Sequence, residues 1–192
     1  MNAPLTPGFA EPVLDAQRCF RAVLEAMARP GRVQALPALP EAPAPLAPAA
    51  AAVLLTLADA DTPVWLDAGE AAAAWLRFHA GCPIAASAAE ATFALAGGVP
   101  PALRDLSQGT EEEPHRSATL LVQVAALAEG GGWRLTGPGI EREHRLLAAG
   151  LPAGFEAEWA ANHARFPRGV DVILCAGDRL AALPRTTRLE AG

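Results

Sequence analysis

Three short segments of the chain carry residue types that suit the binding of an anion. A guanidinium fork matches the geometry of phosphate and carboxylate, and imidazole and hydroxyl groups add further hydrogen bonds. The residues are Arg77, His79, Arg134, Thr136, Arg185 and Thr186. We therefore predict anion binding, with phosphate as the simplest ligand.

Each of these segments also has a structural explanation. Arg77 and His79 fit the last turn of a helix, where cations complement the helix dipole. Glycines near residue 137 can expose N–H groups to a phosphate, but the spacing matches neither the P-loop nor the dinucleotide motif. Arg185 follows a predicted strand, where an interface or a fraying tail can begin. Both explanations stay open for all three segments.

Several other kinds of chemistry lack the residues that they need. The chain has no lysine, and its fifteen basic residues are all arginine, which excludes a lysine Schiff base with pyridoxal phosphate. Cys19, Cys82 and Cys175 form no CxxC pair, and Glu141–His144 is the single metal-compatible helical spacing. No serine stands in a GxSxG motif. We predict no metal site and no cofactor.

Composition sets the class of protein. The 192 residues are 52% hydrophobic and 19% charged, with a net charge of −6. Such a balance is typical of a globular protein and argues against broad binding of nucleic acid or an anionic membrane. No apolar run is long enough to span a bilayer, and the N-terminus lacks the pattern of a signal peptide. Three dispersed cysteines fit reduced thiols in a cytoplasm.

The apolar pattern predicts one α/β domain over residues 1–192, with helices layered on a mixed sheet. Residues 1–11 are expected to be extended, and 97–117 to form an exposed loop. Helices are predicted at 15–29, 48–58, between Asp67 and Gly81, at 141–149 and at 155–165. Strands are predicted at 32–36, 64–66, 92–96, 118–127, 133–136, 170–176 and 179–184.

The same pattern predicts finer features. Two hairpins are expected, one turning at 130–132 and one at Gly177-Asp178. Asp67 and Glu70 resemble a capping box, and Trp65 is expected in the core. Buried faces are predicted for two helices. The first comprises Ala16, Phe20, Val23, Leu24 and Met27, and the second comprises Ala71, Trp75 and Phe78.

Six motifs in order resemble the PhnH family of the bacterial carbon–phosphorus lyase system for phosphonate use. They lie at 15–31, 54–66, 77–83, 118–127, 134–140 and 166–187, and include LLTLADADTPVWL, RLTGPGI and FPRGVDVILCAGDRLAALPRTT. The likeness covers residues 12–187. It is loosest at 37–48 and 107–117, so no function is assigned to those segments.

The resemblance implies a cytoplasmic α/β protein that forms a homodimer alone and joins subunits G, I and J. It implies a fold similar to the large domain of pyridoxal-phosphate transferases, without that cofactor. The system attaches a phosphonate to the ribose C1 of ATP and releases adenine. The resemblance identifies no catalytic residue. It leaves two roles, an accessory or structural subunit and a subunit that binds phosphate, ATP or phosphonate at the ribosyl-transfer site.

Overall fold

The computed structural model describes residues 6–192, which form four α-helices, nine strands and three short 3₁₀ turns. The α-helices are α1 (Pro12–Ala28), α2 (Pro48–Leu57), α3 (Gly69–Ala80) and α4 (Phe155–His163). The first five strands are β1 (Gln34–Ala35), β2 (Val64–Leu66), β3 (Phe93–Ala96), β4 (Thr119–Gln123) and β5 (Ala126–Thr136). The others are β6 (His144–Ala149), β7 (Asp171–Ala176), β8 (Arg179–Leu183) and β9 (Arg188–Glu190).

A six-stranded mixed sheet forms the centre, in the order β1-β8-β7-β4-β3-β2. Strands β2, β3, β4 and β7 are parallel, whereas β8 and β1 add to one edge in antiparallel pairs. Side chains alternate between its two faces. Leu121 and Ile173 point to one core, while Leu120 and Val172 point to the other. The prediction of an α/β fold with a mixed sheet is confirmed.

Helices α1, α2 and α3 cover one face of this sheet. After Pro48, the next four residues of α2 are alanines that are fully buried, and α1 and α3 both contact this helix. Alanine suits this position because it favours the helix and lets neighbouring backbones approach closely. On α3, Trp75 is fully buried and is the largest side chain of this core.

The opposite face is covered by α4 and a second, three-stranded antiparallel sheet in the order β6-β5-β9. The ring of Trp133 on β5 stacks on Phe155 of α4, and Phe155 also stacks on Trp159 of the same helix. The connection at 97–117, predicted as an exposed loop, also contributes the buried side chains of Leu103 and Leu106 to this core. The molecule is therefore a three-layer sandwich of helices, sheet, and a layer of sheet with helix.

Hairpin predictions had opposite outcomes. The pair β7–β8, turning at Gly177-Asp178, is confirmed. The hairpin expected between 118–127 and 133–136 is wrong, because β4 pairs only with central-sheet strands while β5 pairs with β6 and β9. Residues 130–132 lie inside β5, where the register with β6 shifts. The helix predicted at 141–149 is also wrong, since its apolar residues form β6.

The predicted buried faces of α1 and α3 require correction. On α1 the buried residues are Asp15, Cys19, Val23 and Ala26, whereas Phe20 and Leu24 are 49% and 56% exposed. The core-facing stripe is thus rotated from the one predicted. On α3 the buried residues are Ala72, Ala73, Trp75 and Leu76, and Phe78 is exposed. On α1 the core-facing residues are thus small, whereas α3 buries Trp75 and Leu76 together with its alanines.

Two details near β2 also differ from prediction. Asp67 does not cap α3; its carboxylate accepts hydrogen bonds from the backbone N–H groups of Gly97 and Gly98, at 2.6 and 3.1 Å. Trp65 is half-buried rather than in the core, because β2 is an edge strand. Within the described part of the chain, no helix has the length and apolar character needed to cross a membrane. Residues 1–5 of the predicted extended segment lie outside the described residues.

Candidate functional site

Arg77 and His79 lie in the last turn of α3, as predicted, and both have partners within the chain. Arg77 Nη1 donates to Glu70 Oε1 at 2.8 Å on the surface. His79 Nε2 donates to the carbonyl oxygen of Thr6 at 3.0 Å, and Trp75 Nε1 donates to the same oxygen at 2.8 Å. The His79 imidazole therefore fastens the segment before α1 onto α3.

Arg134 and Thr136 lie near the end of β5. Arg134 Nε donates to Glu143 Oε2 and its Nη1 to Glu190 Oε2, each at 2.7 Å. These hydrogen bonds raise the pKa of Arg134, and the bond from Arg134 lowers the pKa of Glu143. Thr136 pairs with Arg188 of β9. An incoming anion would have to compete with two carboxylates for the Arg134 guanidinium.

Arg185 is mostly buried, with 13% of its side chain exposed. Its Nη2 donates to Asp171 Oδ2 and Ser117 Oγ, both at 2.6 Å, and its Nε donates to Asp171 Oδ1 at 3.1 Å. Its Nη1 donates to the carbonyl oxygens of Pro114 and Pro167, at 2.8 and 3.4 Å. All three guanidinium nitrogens are thus used to join three loops of the chain.

Four of the six predicted anion contacts lie on the three-stranded sheet or on the connection between β8 and β9. Gly137 directly follows β5, and a Cβ on it would lie 2.9 Å from the carbonyl oxygen of Thr186. The other two contacts, Arg77 and His79, belong to α3 on the opposite face of the central sheet. The six residues therefore do not converge on one place.

Three of the clefts on the surface of the described residues are considered below, and none of the six predicted anion contacts lines these three. The first, of about 540 Å³, lies between α4 and residues 102–108. The second, of about 310 Å³, lies beside β5 and β6 near residues 150–156. The third, of about 270 Å³, lies between the turn that ends α1 and the turn that precedes β6. The third carries the highest density of ionisable side chains.

This third cleft, here called the turn cleft, is lined by Arg29, Pro30, Arg32, Gly139, Ile140, Glu141, Glu143 and His144. Two glycines, which have no side chain, allow the two walls of this cleft to lie in close contact. A Cβ on Gly31 would lie 3.0 Å from His144 Cδ2, and one on Gly139 would lie 2.0 Å from the carbonyl oxygen of Ala28. Both glycines have positive φ, +84° and +82°, which other residues rarely adopt.

One residue that lines the turn cleft, His144, lies beside the carboxylate of Glu129, which does not line the cleft. Glu129 Oε1 accepts a hydrogen bond from the backbone N–H of Val33 at 2.9 Å. Glu129 Oε2 lies 3.2 Å from His144 Nε2, which is within ion-pair distance. His144 Nε2 is nevertheless buried without a hydrogen bond of good geometry. The Glu129 carboxylate is thus fixed by the backbone of Val33, with its second oxygen beside the His144 ring.

The three cysteine thiols are free and buried. Burial raises the pKa of all three, and that of Cys175 to about 12. Because the thiolate is the nucleophilic form, these residues are poorly suited to covalent catalysis near neutral pH. Within residues 6–192, no group of three or more histidine, cysteine or acidic side chains is arranged to hold a metal ion.

The turn cleft was not predicted from the sequence. His144 was considered only with Glu141 as a metal pair on a helix, and the helix was wrong. Glu129 and His144 are diagonal neighbours across the β5–β6 pair, in which Glu129 lies opposite Leu146. Their contact also depends on the register shift between Glu129 and Trp133, which the assignment of β6 as a strand would not by itself have predicted.

Comparison with known proteins gives a consistent family. The family described as bacterial phosphonate metabolism protein (PhnH) matches residues 7–190. The alpha-D-ribose 1-methylphosphonate 5-triphosphate synthase subunit PhnH of Rhizobium meliloti (strain 1021) is 43% identical over 187 residues, which cover 95% of this chain and 94% of that protein. The putative C-P lyase subunit protein HtxG of Stutzerimonas stutzeri is 34% identical over 179 residues, covering 91% and 85%. The chain therefore belongs to the PhnH family of bacterial phosphonate metabolism proteins.

Proposed function

We propose that this chain is the H subunit of the carbon–phosphorus lyase system and acts mainly in assembly of its synthase. In that role it supports transfer of a phosphonate onto the ribose C1 of ATP with release of adenine. The observation that carries the proposal is the 43% identity, over nearly the full length of both chains, to a protein named as a synthase subunit. HtxG, also named as a subunit, supports the same role.

Two features of the structure support an accessory role. Most charged residues predicted to bind an anion are engaged by partners within the chain. In addition, Val13, Phe20 and Leu24 lie at helical spacing on the exposed side of α1, at 84%, 49% and 56% exposure. Exposed apolar rows of this kind are typical of surfaces that contact other proteins.

The finer parts of the proposal concern partners and location. Subunits G, I and J are the proposed partners, with a homodimer as the form of the isolated protein and the cytoplasm as its location. We also propose a likeness to the large domain of pyridoxal-phosphate transferases. The absence of lysine from the sequence means that a lysine-linked form of that cofactor cannot be held.

Assembly is tested by co-purification with tagged G, I and J subunits, followed by an adenine-release assay with and without this chain. We expect Phe20→Asp with Leu24→Asp to reduce co-purification while the variant stays folded by circular dichroism. Ala157→Asp with Ala161→Asp is the matched control, because it adds the same two charges, four residues apart, at exposed positions of a different helix, α4. Full adenine release by G, I and J without this chain would contradict the proposal.

A second function, direct binding of phosphate or nucleotide at the ribosyl-transfer site, is favoured by one observation. The turn cleft combines arginine, histidine and carboxylate side chains from two separate segments. The predicted contacts Arg77, His79, Arg134, Thr136, Arg185 and Thr186 remain candidates for this function. Titration of the folded chain with ATP and with a phosphonate tests it, and absence of any binding, alone or in the complex, would exclude it.

A further inference from the structure

We propose that the outer edge of β6, together with the cleft beside it, binds an extended segment of a partner protein that carries apolar and basic side chains. The main chain of that segment adds a strand to the three-stranded sheet, and Glu156 binds its basic side chain. The surface belongs to the layer opposite α1. The inference therefore goes beyond the assembly role proposed above and does not rest on it.

The outer edge of β6 has no strand beside it. This strand comes last in the order β6-β5-β9, and within residues 6–192 its backbone hydrogen bonds go only to β5 and to Ala125. Natural edge strands usually carry a charge, a proline or a bulge that prevents pairing with another chain. His144 and Arg145 begin β6, but residues 146–149 are uncharged, and Leu147 is 44% exposed. This half of the strand is therefore open to a further strand.

The second of the clefts described above, here called the edge cleft, lies along the same half of β6. Its volume is about 310 Å³, and its lining includes Trp133, Leu146 and Phe155. These three side chains belong to the core beneath the sheet, so packing fixes their positions. Because alternate side chains of a strand share one face, a strand added beside β6 directs every second side chain towards this cleft.

Glu156 is the one charged residue that lines the edge cleft. Its Oε1 accepts a hydrogen bond from Trp133 Nε1 at 2.9 Å, which orients the carboxylate. This hydrogen bond lowers the pKa of Glu156, so the carboxylate is ionised at neutral pH. Among the described residues, Glu156 has no ion-pair partner. A guanidinium or ammonium group from a ligand would give its second oxygen a charge-assisted hydrogen bond.

The strand edge, the cleft and the carboxylate together define the kind of partner. Strand addition takes its affinity from main-chain hydrogen bonds and its specificity from pockets for alternate side chains. Here the edge cleft receives an apolar side chain, and Glu156 receives a basic one on the same face of the added strand. The net charge of −6 also attracts a basic segment at longer range.

A second copy of this chain matches the site less well. Leu146 faces the core, so Arg145 faces the opposite side of the sheet, where it lies 3.9 Å from Glu143. Antiparallel pairing of two β6 strands keeps the faces of the sheet aligned, and the second Arg145 then lies away from Glu156. The charges therefore favour a different protein chain that supplies its own basic residue.

The test is titration of the full chain, by fluorescence anisotropy, with a labelled heptapeptide of threonine that has leucine at its third and arginine at its fifth position. A second peptide has glutamate in place of arginine. We expect the arginine peptide to bind, and the glutamate peptide to bind more weakly by about tenfold or more. No binding of the arginine peptide at millimolar concentration would overturn the inference, as would equal binding of both peptides.

Glu156→Gln should weaken binding of the arginine peptide about tenfold, although it keeps an acceptor for Trp133. Glu112→Gln is the matched control, because it removes the same charge from an exposed residue that does not line the cleft. This control should bind the peptide as the wild type does. Equal affinities of the two variants would show that Glu156 does not bind the basic side chain.

Main-chain pairing is tested with two N-methylated versions of the arginine peptide, one methylated at odd positions and one at even positions. Only one edge of an added strand faces β6, so one version should lose binding about tenfold or more and the other should keep it. Equal affinities of the two versions would overturn strand addition. Amide hydrogen exchange should slow at residues 146–149 in the complex, and protection confined to other segments would overturn the site.

Sedimentation of the chain with and without the arginine peptide tests the alternative occupant. An unchanged oligomeric state supports a different partner, whereas dissociation of a dimer by the peptide would assign the edge to a second copy and overturn the inference. Phe20→Asp with Leu24→Asp, which tests assembly, should bind the peptide as the wild type does. Loss of co-purification by this variant with unchanged peptide binding separates the two proposals, and loss of peptide binding while it stays folded would overturn the site.

Discussion

Arg185 and Arg32 both lie in short connections beside a strand of the central sheet, but their surroundings differ completely. Arg185 is mostly buried, and its nitrogens donate to a carboxylate, a hydroxyl and two carbonyl oxygens. Arg32 is exposed at the mouth of a cleft and has no ion-pair partner within residues 6–192. Residue type alone therefore does not distinguish a structural arginine from one that can bind a ligand. What distinguishes the two is whether the guanidinium N–H groups already have acceptors within the protein.

The strongest test of this comparison is to remove the buried arginine. Arg185→Ala leaves the carboxylate of Asp171, which is 15% exposed, without its cation. We expect a loss of about 3–5 kcal/mol in the free energy of unfolding, measured in urea. Arg188→Ala, three residues further on and exposed, should change it by less than about 0.5 kcal/mol. Similar small losses for both variants would show that Arg185 is not structural.

The turn cleft can be tested through the glycine that closes it. Gly139→Ala would place a Cβ 2.0 Å from the carbonyl oxygen of Ala28, whereas Gly130→Ala has a similar φ and meets nothing within 4 Å. Both variants carry the strain of a left-handed backbone, so their difference isolates the steric overlap. We expect Gly139→Ala to be less stable by about 1–3 kcal/mol in thermal or urea unfolding. Equal stabilities would mean that the two walls of the cleft are not in fixed contact.

The contrast between buried and exposed groups extends to a thiol, because Cys175 is fully buried and the effect on its pKa can be measured through stability. Burial raises its pKa from 9.0 to about 12. Between these values the unfolded chain binds fewer protons than the folded chain, so stability falls as pH rises, by about 1.4 kcal/mol per unit. Urea unfolding at about pH 8 and pH 10 should show a steeper loss in the wild type than in Cys175→Ala. The same slope for both proteins would contradict the raised pKa.

The smallest change in stability is expected when Arg134 is replaced. This residue is ion-paired like Arg185 but lies on the surface. Arg134→Ala should lower the unfolding temperature only slightly, because exposed ion pairs contribute little. Salt at about 1 M should remove most of that difference, since screening then acts within a few ångströms. A large loss that persists in high salt would make Arg134 a second structural arginine and weaken the comparison.

Local apolar patterns predicted the strands of the central sheet, whether their partners are close or distant in sequence. The β7–β8 hairpin was found because two apolar runs flank Gly177-Asp178. The prediction of a helix at His144–Ala149 was wrong because a pattern of six residues fits a helix or a strand equally well. Pairing with β5 makes this segment a strand. The predicted faces of α1 and α3 were right for Val23 and Trp75, which are buried, and wrong for Phe20, Leu24 and Phe78, which are exposed.

The candidate site was harder to predict for a related reason. Arg185 was singled out as an available guanidinium, but its partners Asp171 and Ser117 are 14 and 68 residues away in the chain. Only the folded structure shows that its donors are used. The pair of His144 and Glu129 depends on the strand β6, so the error in that element concealed the cleft as well.

The pairing of β1 with β8 has a consequence for how the chain folds during synthesis. Gln34 lies opposite Leu180, and α1 also packs against β8. Contacts between such distant segments slow folding, since most of the chain must be ordered before they form. On the ribosome, α1 and α2 therefore lack their final packing surface until β8 has emerged. For most of translation their apolar residues stay accessible to chaperones, and a pause late in the message would prolong that exposure.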